Sequence, residues 1–162
     1  MIEMVDIVDE NDNVLRAATW QEMMDKSLLH RSANIIVFNS KGEIYVHQRA
    51  KNLKLYPGMY DVKFGGSVRA GESYEEAAKR ELLEEACIKN AELEFLFPLK
   101  FRSKSNNCNR NVFKCIYDGK IILQKEEIAN GKFMTIDEIK KLAEEGKLSP
   151  SAINVFEEFL KR

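Results

Sequence analysis

Apolar and polar positions along this chain follow two periods, and the places where the period changes mark its elements. Glu3 to Val8 and Val14 to Ala18 are short apolar stretches around the acidic, turn-rich run Asp9 to Asn13, the pattern of a β-hairpin. Thr19, with Glu22 three places on, opens a short helix to about Lys26. Ser32 to Phe38 and Glu43 to Arg49 read as strands joined at Asn39 to Gly42. In the second, Ile44, Val46 and Gln48 alternate with Tyr45, His47 and Arg49, so Arg49 shares a face with His47. Glu92 to Phe101 and Asn111 to Tyr117 read as further strands around a polar, mobile loop, Arg102 to Arg110. Phe133 and Met134 look strand-like. Thr135 and Glu138 box the start of a helix to about Glu145, with Gly146 as its cap. Ser149 and Pro150 start a last helix striped by Ile153, Phe156, Phe159 and Leu160.

The helix in the middle of the chain is of another kind. Ser73 and Glu76 form a capping box, so the helix begins at about Tyr74. At 100° per residue, Ala78, Leu82 and Ala86 make an apolar row, while Glu81, Glu84 and Glu85 share an arc of about 100°. Like charges three and four apart cost a helix roughly 0.2–0.5 kcal/mol per pair. A bound cation gives a reason to collect them, and carboxylate oxygens suit hard ions such as Mg²⁺ or Mn²⁺. A solvated face is the plainer alternative.

The spacing decides between these readings. Gly66, Glu72, Arg80, Glu81, Leu82, Glu84, Glu85 and Ile88 stand in register with the signature of the Nudix hydrolases, which this stretch resembles. One position departs: Cys87 stands where the signature has its closing glycine, which leaves the helix exit open.

The resemblance covers about Ser32 to Leu142. It implies an α/β fold, a Nudix-type α/β/α sandwich with a mixed β-sheet, here with an N-terminal β-hairpin. Residues 1–162 would form one such domain. The implied activity is hydrolysis of a nucleoside diphosphate linked to another moiety, water attacking phosphorus. Glu81, Glu84 and Glu85 would carry Mg²⁺ or Mn²⁺, with the Gly66 carbonyl as a further ligand and Glu81 as an alternative base. Arg80 would orient these carboxylates by reaching Glu84 or Glu76, since it does not face its neighbour Glu81. Glu127, in the loop before Phe133, falls at the spacing of an extra metal-binding or base glutamate. Arg49 could clamp a phosphate. The turn Tyr56 to Asp61 has aromatic shoulders, of which Tyr60 is the candidate for stacking on substrate.

Upstream, Leu29 to Arg31 and Gln48 to Ala50 are similar to the branch that includes isopentenyl diphosphate isomerases. Those enzymes need a cysteine and a histidine where this chain has Gly65 and Ser67, so isomerisation lacks its thiol. A non-catalytic nucleotide-binding module is a third reading, set against by the full complement of carboxylates.

Composition narrows the partners. With 25 Lys and Arg against 26 Asp and Glu, the net charge is −1, which gives no electrostatic case for a nucleic-acid polymer or an anionic membrane. No run approaches the length of a membrane span, and the N-terminus lacks the order of a secretory signal, so a cytoplasmic protein is expected. Cys87, Cys108 and Cys115 show no metal spacing and are expected as free thiols. A small-molecule diphosphate is the expected partner. A homodimer is left open.

Overall fold

The computed structural model describes residues 1–162. Its centre is β3 (His30–Phe38), a strand buried on both faces because its odd and even residues serve different cores. Ala33, Ile35 and Val37 face one core and Ile36 and Phe38 the other.

β1 (Met4–Val8) and β2 (Val14–Thr19) form the N-terminal hairpin, joined to β3 through Ile7 and His30. β4 (Ile44–Arg49) pairs with β5 (Tyr60–Asp61) and touches β3 only where Phe38 meets Ile44. β6 (Phe64–Ser67) lies antiparallel to β3, with Gly66 opposite Ala33 and Gly65 opposite Asn34. β7 (Glu94–Arg102) pairs with β8 (Asn107–Ile116), which runs parallel to β3 from His30 and Cys108 to Phe38 and Ile116. β9 (Ile128–Met134) pairs with β4. The sheet is therefore mixed.

Helices cover both faces. α2 (Tyr74–Ala86) lays Ala77, Ala78, Leu82 and Ala86 on β3 and β6, where they meet Ala33, Ile35, Phe64 and Phe113. α3 (Ile136–Glu144) and α4 (Pro150–Leu160) close the opposite face with Ile139, Ala152, Val155 and Phe156. This is an α/β/α sandwich. Leu82 is fully buried, and truncating such a leucine to alanine costs about 2–5 kcal/mol. α1 (Trp20–Asp25) packs on the hairpin with Met23 beneath it.

The caps explain the boundaries. Ser73 with Glu76 and Thr135 with Glu138 form complete capping boxes. At Thr19 only half a box forms: its hydroxyl accepts from the Glu22 N–H, while Glu22 turns to Arg16 and Lys26. Gly146 lies at φ 71°, the left-handed residue after α3. Cys87 adopts the same region, φ 56° and ψ 33°, so α2 ends as the signature glycine would end it.

Two expectations are corrected. The segment Arg102 to Arg110 is mostly strand: β7 runs to Arg102, β8 starts at Asn107, and Arg110 is buried at 3% exposure. Asn109 and Arg110 face bonding partners, while Lys104 and Ser105 at the turn stay exposed. On α4, Leu160 is exposed, and Ala152 and Val155 carry the packing instead.

Candidate active site

A polar cavity of about 480 Å³ opens between the N-terminus of β3, the glycines of β6, and α2. Gly66, Arg80, Glu81, Glu84, Arg49 and Glu127 all line it, although they come from two strands, a helix and a loop. Tyr60 does not. It pairs with Gln48 and packs against the core beneath α4, while Tyr56, on the preceding turn, lines the cavity in its place.

The glycines of β6 set the depth of the site. A Cβ on Gly66 would lie 2.6 Å from Oε1 of Glu81, so the missing side chain is what lets that carboxylate press against the strand. Gly65 has φ 147° and donates its N–H to Oε1 of Glu85 at 2.9 Å. Glu81 and Glu85 thus both point at β6, one turn apart, and their carboxyl groups touch. Burial pushes both carboxyls up. That of Glu85 is held well above the usual carboxylate range by burial and by the neighbouring Glu81. Two buried carboxylates this close need a proton or a cation between them.

Arg80 organises the rest. Its Nε and Nη2 grip Glu72 as a fork, each at 2.9 Å, Nη2 reaches the Ser67 carbonyl at 3.1 Å, and Nη1 reaches Glu81 at 2.9 Å and Glu84 at 3.5 Å. Arg80 was expected to pair with Glu84 or Glu76 only. Its long side chain arches back toward Glu72, which carries the guanidinium over the face where Glu81 sits. Glu84 turns outward, 44% exposed, with Arg69 at 3.8 Å.

The three signature glutamates are therefore not assembled as a cage. No trio of His, Cys, Asp or Glu side chains is gathered as a metal shell, because Arg80 stands between Glu81 and Glu84. The donor set nonetheless fits a hard divalent ion. It offers only oxygens, from Glu81, Glu84, Glu127 and the Gly66 carbonyl on the cavity wall and from Glu85 against β6.

The histidines stand apart from this chemistry. His30 bonds the Leu28 carbonyl at 3.0 Å, and His47 bonds that of Lys63 at 2.7 Å while stacking on Phe64. Burial lowers both. Three further buried residues line the wall: Arg110, which the sequence offers with Lys104 either as a contact for an anionic substrate or as a solubilising loop residue, and Asn34 and Lys63, which it does not single out. The only signal of the wall itself was alternation: Ser32 and Asn34 share one face of β3, as Cys108 and Arg110 share one face of β8.

This fold and site define a class. The NUDIX domain family matches residues 28–158 of the chain. An uncharacterized Nudix hydrolase of Pseudomonas aeruginosa is 36% identical over 132 residues, 82% of this chain and 78% of that protein. The Nudix hydrolase YfcD of Escherichia coli K12 is 32% identical over 162 residues, 99% of this chain and 88% of that one. Among solved structures, DR0079 of Deinococcus radiodurans superposes with a TM-score of 0.83 at 23% identity, covering 96% of this chain and 98% of the other. The NUDIX domain of Shewanella oneidensis NrtR, complexed with ADP ribose, gives 0.66 at 14% identity, covering 90% and 99%. The chain belongs to the Nudix family and is a hydrolase of pyrophosphate bonds. No helix is long and apolar enough to cross a membrane.

Proposed function

We propose that the protein hydrolyses the diphosphate of a nucleoside diphosphate linked to another moiety, with dependence on Mg²⁺ or Mn²⁺. The observation that carries this reading is the buried Glu81–Glu85 pair set against β6 at the edge of the cavity. Glu81, Glu84, Glu85, Glu127 and the Gly66 carbonyl would hold the ion. When bound, such an ion supplies Lewis acidity that offsets the diphosphate charge and acidifies the attacking water.

The chain's own residues do the positioning. Arg80 fixes Glu81 through Nη1 and is itself fixed by the Glu72 fork, which positions Glu81 either to complete the metal shell or to take the water's proton. Gly65 holds one oxygen of Glu85. Arg49 presents a guanidinium on the opposite wall to the substrate, and Tyr56 takes over the contact first expected of Tyr60.

Kinship with the isomerase branch is supported by Leu29 to Arg31 and Gln48 to Ala50, but Gly65 and Ser67 supply neither thiol nor imidazole. The test is incubation with Mg²⁺ and a panel of diphosphates, following phosphate after phosphatase coupling. Hydrolysis lost in both Glu84→Gln and Glu85→Gln is the expected result. Metal-dependent binding without turnover would mark a binding module, and isomerised prenyl diphosphate would mark an isomerase.

A further inference from the structure

The wall of the cavity away from α2 carries two arginines that no acidic side chain pairs, although Asp61 lies on the same cavity. Within the cavity Lys63 pairs with Asp61 at 3.2 Å, Arg69 reaches Glu3 and Glu84 at 3.9 and 3.8 Å, and Arg80 is held by Glu72, Glu81 and Glu84. Arg49 and Arg110 line the same space and enter no ion pair. Arg49 donates from Nε to the Leu55 carbonyl at 3.0 Å. Arg110 donates only to neutral oxygens, the Ser151 carbonyl at 3.0 Å, the Ser151 hydroxyl, and Oδ1 of Asn154 at 2.8 Å.

Arg110 is 3% exposed, and its Nε–H is buried without an acceptor. Its guanidinium lies over the Phe101 ring at 4.3 Å, which again contributes no counter-charge. A buried guanidinium without an anion is costly to keep. Its α4 contacts hold the Nη end, which leaves the Nε–H as the donor on this cavity-lining side chain that lacks a partner. Asn34, 2% exposed on the adjacent strand, also has an unpartnered oxygen. A half-turn of that amide lets Ser32 donate to the oxygen and frees an N–H for an anion. Tyr56 lines the same cavity, its hydroxyl in the field of both arginines, on a backbone held at φ 50°.

We propose that this wall is a second anion subsite, in which Arg49 and Arg110 bind an acidic group on the part of the substrate remote from its diphosphate. The inference rests on the hydrolase reading and narrows it to diphosphates whose appended moiety carries its own phosphate or carboxylate. Spacing supports two separate places. Ser67, Ser32 and Arg110 are partners across β6, β3 and β8, so Arg110 stands about 10 Å, two strand spacings, from the glycine strand at the glutamate wall.

The test uses the whole chain and needs no turnover. Inorganic phosphate, ribose 5-phosphate and gluconate are titrated calorimetrically against wild type, Arg49→Gln and Arg110→Met, with folding checked by circular dichroism. Anion binding by wild type, weakened at least about 10-fold in Arg49→Gln and kept in Glu84→Gln, is the expected result. Whether ribose 5-phosphate or gluconate binds more tightly assigns the acid. In hydrolysis, Arg49→Gln should raise KM more for ADP-ribose bearing a phosphate on its terminal ribose than for ADP-ribose itself.

Equal anion affinity in wild type and Arg49→Gln overturns the subsite. So does binding of uridine or adenosine in place of any anion, which would make the wall a neutral base pocket. If no diphosphate is turned over while anion binding still depends on Arg49, the hydrolase reading falls and the subsite stands.

Discussion

Gly66 and Glu81 are matched so closely that a methyl group on the first would sit 2.6 Å from a carboxylate oxygen of the second. The obstructing atom is the end of a side chain, not backbone, so the fold can yield where the chemistry cannot. Gly66→Ala should fold normally yet lose about 100-fold in kcat, since a displacement of about 1 Å at a reacting group costs that much. Gly65→Ala is the contrast: its Cβ would meet the Ala33 carbonyl at 2.0 Å, and loss of folded protein is expected. Circular dichroism and steady-state kinetics on the pair separate the two effects.

Arg80 binds through a planar fork that lysine cannot reproduce. Arg80→Lys should keep a positive charge but release Glu72, the Ser67 carbonyl and Glu81 from one common anchor. Loss of about 10- to 100-fold in kcat is expected, with stability lowered by about 1–3 kcal/mol. Kinetics and urea titration of the variant check both figures. A variant with wild-type kcat would remove Arg80 from the positioning role.

The local parts of this structure were legible because they are written in local code. The caps at Ser73, Thr135 and Ser149 and the hairpin around Asp9 to Asn13 need only near neighbours to form. β6 escaped notice because two of its residues, Gly65 and Gly66, have no side chains to alternate, and its existence depends on pairing with β3. Arg110 was misplaced in a loop for a related reason. What buries it is Ser151 and Asn154 on α4, partners that lie 41 and 44 positions away in the chain. The signature identified the glutamates, but only the fold shows that Arg80 divides Glu81 from Glu84.

Acid should loosen the fold through its two histidines before it touches most carboxylates. His30 and His47 are 3% exposed, and burial holds both below their ordinary value of 6.5. Nδ1 of His47 has no partner to receive a proton's charge. Between pH 7.5 and 5.5 the unfolded chain gains protons that the folded chain refuses, so stability falls with pH. The expected loss is up to about 1.4 kcal/mol per histidine. Urea unfolding at the two pH values measures it, and His30→Gln should remove one share. The raised Glu85 carboxyl works in the opposite direction, so the profile is compared with that of Glu85→Gln, in which a flat profile would mean that both rings protonate within the fold.

Cys87 offers a stabilising change at the one place where the chain leaves its family's signature. Its backbone sits at φ 56° and ψ 33°, where its N–H bonds the Leu83 carbonyl at 3.1 Å and the Ile88 N–H bonds that of Leu82 at 3.2 Å. A Cβ in this region costs about 1–2 kcal/mol, partly offset by the greater freedom glycine has when unfolded. Cys87→Gly should therefore gain about 0.5–1 kcal/mol, or roughly 1–4 °C in Tm. Cys87→Ala keeps the Cβ and should gain nothing. Activity should be unchanged in both, because Glu81 and Glu85 are held by Arg80 and Gly65 rather than by the helix end. If alanine stabilises as much as glycine, the thiol rather than the backbone is the source of strain.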